Sequence, residues 1–148
     1  MRRAPPDVVQ GMRTVTEISP DLDAFLSQVM AAIVGTGRRD RSVQMKPVWY
    51  ELRDGLIWLN GGPNRRWVRR AKRSGRLALF FIDPKNIWRH ALIQCRVVEM
   101  TTDGADDHID RLSERYLGVP YRNPKVDRLI VKLEPLHVSG FNVGKPWS

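Results

Sequence analysis

The stretch SVQMKPVWYELRDGLIWLN, Ser42 to Asn60, decides how this chain folds. Its side chains alternate at period two, so it reads as strand rather than helix. Val43, Met45, Pro47 and Trp49 fall on one face, and Gln44, Lys46, Val48 and Tyr50 on the other. Pro47 has no amide hydrogen to give to a sheet ladder, which marks this strand as an edge or a bulge. Asp54-Gly55 makes a tight turn, and the chain returns through LIWLN. Upstream, AAIVGTG (Ala31 to Gly37) reads as its hairpin partner, joined to it by the polar turn GRRDR.

Working outward, Ser19-Pro20 is a helix cap followed by proline at the first helical position, with Asp21 and Asp23 at the positive end. Leu22, Phe25, Leu26, Val29 and Met30 then recur at helical spacing as one buried stripe. After the hairpin, Asn64 reads as the cap of a second helix. Trp67, Val68 and Ala71 form its narrow apolar face, and Ser74-Gly75 ends it. RLALFFI reads as a buried strand, DPKNIWRH as a loop and ALIQCRVVEM as the next strand. A third helix runs from about Ala105 to Leu117, stopped by Gly118 and Pro120, and DRLIVKLEPLHV closes as the last strand. The order of helix, three strands, helix, two strands, helix, strand predicts an α+β fold whose antiparallel meander closes into a small barrel. Residues 1–18 read as a flexible leader, 19–141 as one domain and 142–148 as a tail.

Composition narrows the function. With 148 residues and 42% hydrophobic content, the chain can bury a real core, and it has no long apolar run of the membrane-spanning kind. No apolar stretch follows the two N-terminal arginines, which argues against a secretory signal. A lone cysteine, Cys95, has no internal partner, as expected of a cytoplasmic protein. The net charge is +9, and the positive charge is concentrated: between Arg38 and Arg76 stand twelve basic residues and three acids. That is the signature of a localised anion site.

Other chemistries lack support. His90, His108 and His137 are scattered, without ligand-like spacing. Asp103 to Glu114 has the length of a calcium loop, but Ala105 and His108 occupy positions that need a ligand and a glycine. No serine or cysteine sits in a nucleophile elbow, and GTG at Gly35 to Gly37 is too short for a dinucleotide fingerprint. In GGPNRRWVRRAKRSGR, Gly61 to Arg76, three effects converge. Gly61 and Gly62 allow close backbone approach to a ligand. The helix that follows offers free amide hydrogens. Arg65 and Arg66 oppose the helix dipole, which makes sense where an anion occupies the site.

The pieces RSVQMKPVWYELRDGLIWLN, GGPNRRWVRRAKRSGRLALFFIDPKN, IWRHALIQCRVVEMTTDGADDHIDRLSERYLG and DRLIVKLEPLHVSGF lie within the stretch from about Leu22 to Phe141. In them the sequence resembles the pyridoxamine 5′-phosphate oxidase-like, FMN-binding split-barrel proteins, and among these the actinobacterial group that uses the deazaflavin coenzyme F-420. The resemblance implies a six-stranded antiparallel split β-barrel with flanking helices. It also implies a homodimer with cofactor sites at the subunit interface. It assigns Lys46, Pro47, Val48 and Trp49 to the cofactor ring, and Asn60, Asn64, Arg65, Arg66 and Arg69 to the phosphate. Trp88 and Arg89 would lie near the ring or substrate, in the neighbouring subunit. Many relatives carry lysine where this chain has Arg66-Trp67.

The resemblance further implies hydride transfer between the deazaflavin and a small organic substrate, with the protein supplying orientation and charge. Lys46, Tyr50 and His90 are the candidate proton sources. F-420 is preferred to FMN because its tail bears a phosphate and several glutamates, which gives the arginines partners. An FMN-dependent oxidase or reductase of the same fold is the alternative. A non-catalytic cofactor carrier or a nucleic-acid binder using the arginine helix is the other class. The inward Trp67 and Val68, and the few amide side chains on that helix, argue against nucleic acid.

Overall fold

The computed structural model describes residues 17–144. The first sixteen residues of the expected leader and the end of the expected tail lie outside them. The elements are α1 (Pro20–Leu26), β1 (Ala32–Gly37), β2 (Val43–Val48), β3 (Tyr50–Arg53), β4 (Leu56–Gly61), α2 (Arg66–Ser74), β5 (Arg76–Asp83), β6 (Asn86–Thr101), α3 (Ala105–Leu117) and β7 (Leu129–Phe141). Ser19 caps α1, its hydroxyl accepting from the Leu22 amide at 3.2 Å. Gly75 ends α2 in the left-handed conformation.

All neighbouring strands are antiparallel, in the order β2-β1-β5-β6-β7-β4-β3. The two ends of that order, β2 and β3, are consecutive in the chain and separated by Trp49 alone. The sheet therefore curls until its edges meet at one residue. The run expected as a single strand is two, so there are seven strands rather than six.

The break has a physical cause. Beyond Val48, the chain leaves its pairing with β1 and Tyr50 takes up pairing with β4. At the crossing the Tyr50 amide donates to the Tyr116 hydroxyl of α3 at 3.4 Å, and that hydroxyl donates to the Met30 carbonyl at 2.7 Å. A helix side chain thus replaces a ladder bond. The Trp49 ring stacks on Tyr116, with centroids 5.2 Å apart. Pro47 lies in β2, at an end of the sheet order, as its missing donor requires.

A second correction concerns DPKNIWRH. Only Pro84 and Lys85 form a turn, and β6 begins at Asn86. The strand inverts the usual pattern: Ile87 and Trp88 are exposed, while Arg89 is buried. Its guanidinium pairs with Asp83 at 2.5 Å and lies over the Phe25 ring. Inside the curled sheet, Val34, Tyr50, Ile57, Leu59, Leu79, Phe81, Ile93 and Leu133 form the core, closed by Phe25 and Leu26 of α1. Outside, Val43, Met45, Leu92 and Phe141 leave an apolar face exposed.

Candidate functional site

A cleft of about 720 Å³ opens where the end of β2, the end of β4, the start of α2 and one face of α3 converge. Lys46, Pro47, Val48 and Trp49 line one side of it, and Asn60, Asn64, Arg65 and Arg66 another. Eight of the ten residues expected at the site are therefore together, although the two groups are more than ten positions apart. Arg69 lies elsewhere. It lines a separate pocket of about 380 Å³ with Arg39, Arg66, Arg70 and Arg73, and Arg66 alone belongs to both. Trp88 lines neither within this chain, and it is 64% exposed.

The start of α2 differs in detail from its reading. Arg65, not Asn64, is the N-cap residue, and no side chain caps the helix. With no acid in its first turn, its first amides and the arginines beside them face the cleft without internal compensation. Gly61 also has a different task. A Cβ there would stand 2.7 Å from the Trp67 ring and 2.9 Å from Val68, so this glycine lets α2 pack on β4. Gly62 meets nothing within 4 Å.

Three cleft residues had no local signal in the sequence: Gln44, Tyr121 and Arg128. Gln44 accepts a hydrogen bond from Arg70 of α2. Arg128 precedes β7 and lies over the Tyr121 ring, 5.3 Å from its centroid. Its Nε donates to the Asn60 side-chain oxygen at 2.7 Å. Burial, reinforced by the positive charge of Arg65, lowers its pKa, with Tyr121 and Asp106 opposing. Among the described residues no carboxylate pairs with Arg65, Arg66 or Arg128.

Behind Asn60 lies a buried polar chain. The Asn60 amide nitrogen donates to the Ala105 carbonyl at 2.9 Å and stands 3.0 Å from His108 Nδ1. His108 is fully buried, with Nε2 3.3 Å from Glu51, and Arg111 donates to the same carboxylate at 2.7 Å. Burial alone would raise the Glu51 pKa, but His108 and Arg111 outweigh it and hold the carboxyl at about 2.

Of the candidate proton sources, only Lys46 lines the cleft. Tyr50 is fully buried and donates to the Leu26 carbonyl at 2.7 Å, and burial pushes its phenol pKa well up. It is structural. His90 stacks on Phe141 and contacts Phe80, and its Nδ1 is 2.8 Å from the Ile87 carbonyl, away from the cleft. No helix of the described residues is long and apolar enough to cross a membrane.

No family model and no curated protein matches the chain. Solved structures do. An F-420 reductase superposes with a TM-score of 0.71 at 22% identity, over 79% of this chain and 94% of that one. The conserved hypothetical protein Rv2991 from Mycobacterium tuberculosis gives 0.64 at 16% identity, over 99% and 96%. A candidate pyridoxamine 5′-phosphate oxidase from Listeria innocua gives 0.61 at 13% identity, over 80% and 94%. The chain has the fold of these proteins, an α+β split barrel built on a curled antiparallel sheet.

Proposed function

We propose that this chain is an oxidoreductase that binds a flavin-type cofactor in the cleft beside Trp49 and acts on a small organic substrate. We further infer that the deazaflavin F-420 is the cofactor, in preference to FMN. One observation carries this reading: a cleft of about 720 Å³ joins an apolar strand break to three arginines that, among the described residues, form no ion pair with a carboxylate. That volume suits a small-molecule cofactor. The fold shared with an F-420 reductase and a candidate pyridoxamine 5′-phosphate oxidase is in keeping with it.

The residues fit such a group. Val48, Trp49 and the ring of Pro47 offer flat apolar surface to a planar ring system. The α2 amides with Arg65 and Arg66 suit a phosphate, each charge-assisted contact contributing roughly 1.5–3 kcal/mol. Arg66 also lines the arginine pocket, so an anionic chain leaving the cleft meets Arg39, Arg69, Arg70 and Arg73. F-420 carries such a chain of glutamates. FMN ends at its one phosphate and would leave that pocket unused.

The bound deazaflavin would supply the hydride chemistry. The protein then orients it, excludes water with the half-buried Trp49, and offers the Lys46 ammonium at the cleft as a proton source. The exposed face of Val43, Met45, Leu92 and Phe141 suits a second copy of the chain, and Trp88, exposed as well, is available to a neighbouring subunit.

Titration of the full chain with F-420 and separately with FMN, followed by quenching of its tryptophan fluorescence, tests the reading. Tight F-420 binding with weak FMN binding is expected. The reverse order makes the protein an FMN oxidase or reductase. Binding of neither overturns the cofactor reading.

A further inference from the structure

We propose that Arg128 is a direct contact for the anion held in the cleft, and that Asn60 does not touch the anion but positions Arg128. This rests on the reading that an anionic ligand occupies the cleft, though not on which cofactor carries the charge.

The argument begins with donor counting. The Asn60 amide has three neighbours within hydrogen-bond distance: the Ala105 carbonyl and His108 Nδ1 at its nitrogen, and Arg128 Nε at its oxygen. Turning the amide over would set carbonyl against carbonyl and N–H against N–H, so only one orientation satisfies all three. That orientation requires a bare Nδ1 on His108, and therefore a proton on Nε2, the nitrogen that faces Glu51 at 3.3 Å. Glu51 is fixed in turn by Arg111 at 2.7 Å. The chain Arg111, Glu51, His108, Asn60 therefore points one carbonyl oxygen at Arg128.

The consequence for Asn60 is that its side chain has no donor left for a ligand. Both ends of the amide are engaged, although the residue lines the cleft. Arg128 is the opposite case. Its Nε is taken, but among the described residues no protein acceptor is found for either Nη group. The guanidinium is half-buried, seated on Tyr121, and close enough to Arg65 for the two charges to repel. An arginine held in that position with no carboxylate in ion-pair contact among the described residues is poised for an external anion, and its fork has two amino groups to offer.

The test uses inorganic pyrophosphate as the anion, titrated calorimetrically into the full chain. Four variants are compared with the parent: Arg128→Ala, Asn60→Ala, the double variant, and Arg65→Ala as a cleft control. Arg128→Ala is expected to weaken pyrophosphate binding about tenfold or more, as does loss of one charge-assisted contact. Asn60→Ala should weaken it several-fold, and the double variant no more than Arg128→Ala alone. A purely structural Asn60 would instead lower melting temperature without that non-additivity. If Asn60→Ala does not fold, Asn60→Asp keeps the volume. Its carboxylate would neutralise Arg128, so it too should weaken binding.

Unchanged affinity in Arg128→Ala overturns the proposal, as does failure of the parent to bind pyrophosphate. Multiplicative losses in the double variant overturn the positioning role, because Asn60 would then contact the anion itself. Titrations with F-420 and FMN on the same samples separate the two readings. If neither cofactor binds but pyrophosphate follows this pattern, the cofactor reading falls and Arg128 stands. If F-420 binds equally well without Arg128, the reverse holds.

Discussion

Helices α2 and α3 are built on opposite electrostatic plans. α3 places Asp106 and Asp107 in its first turn and Arg115 in its last, in agreement with its dipole. α2 has no acid in its first turn and begins among Arg65 and Arg66. Both bury an apolar stripe, Ile109 and Leu112 in one, Trp67, Val68 and Ala71 in the other, so both are anchored by packing. What differs is the N-terminal end, and only that of α2 lines the cleft. α3 is neutralised from within, and α2 leaves its positive end uncompensated, which costs stability unless an anion arrives. A helix that opposes its own dipole is thus a better guide to a binding site than its count of charges.

The largest expected effect removes that opposition. Changing Arg65 and Arg66 together to Ala should weaken F-420 binding by about 100-fold, roughly 3 kcal/mol, because two charge-assisted contacts are lost. The melting temperature of the free protein should hold or rise, since two charges leave the positive end of α2. Fluorescence titration and thermal melting check the two halves. A fall in both would mean that these arginines serve the fold.

Next comes the packing that holds α2 in place. Gly61→Ala forces a methyl group to within 2.7 Å of the Trp67 ring and 2.9 Å of Val68. We expect a loss of about 1–3 kcal/mol in denaturant unfolding, as for overpacking elsewhere. An unchanged midpoint would show that α2 can shift freely, and would undo the claim that it is rigidly docked.

On the α3 side, Glu51 ties His108 and Arg111 of the helix to β3. Its pKa of about 2 lies below the ordinary 4.5 of a free glutamate, so it binds its proton more weakly when folded. The stabilisation is therefore complete above about pH 5 and is lost as pH falls toward 2. Glu51→Gln should flatten the acid limb of the stability curve in that window, by about 1–2 kcal/mol after allowance for solvent screening. Urea unfolding at several pH values measures it. An identical acid limb in the variant would place the acid sensitivity elsewhere.

The same contrast explains what was legible in the sequence. The Ser19 cap, the glycine stops after α2 and α3, the apolar face of α2 and the Asp54-Gly55 turn are local patterns and stand as the sequence reads. The cap at Asn64 does not, and α1 ends at Leu26, which leaves Val29 of the expected stripe outside the helix and exposed. The division of the strand at Trp49 depends on Tyr116, 66 residues beyond the Tyr50 amide that it receives, and nothing in MKPVWY announces it. IWRH reads as loop rather than strand because its burial is inverted: Arg89 goes inside to meet Asp83 and Phe25, while Ile87 and Trp88 stay out. The two groups of cleft residues were found through motif wording. Arg128 carries no such wording: it lines the cleft itself and is joined there to Asn60, 68 residues earlier.

The smallest effect tests the comparison most sharply, because it gives α2 what α3 already has. Asn64 is exposed, adjoins the N-cap of α2 and lines the cleft. Asn64→Asp adds one negative charge there with almost no change in shape. The helix dipole and the neighbouring arginines should then favour the folded state by about 0.3–1 kcal/mol. The same carboxylate competes with any anion for those amides and guanidinium groups, so F-420 affinity should fall a few-fold. Stability and binding must move in opposite directions if the positive end of α2 is reserved for a ligand. If both rise, the anion site lies away from the helix start. If both fall, Asn64 makes a contact that the aspartate cannot reproduce, and the charge argument for α2 fails.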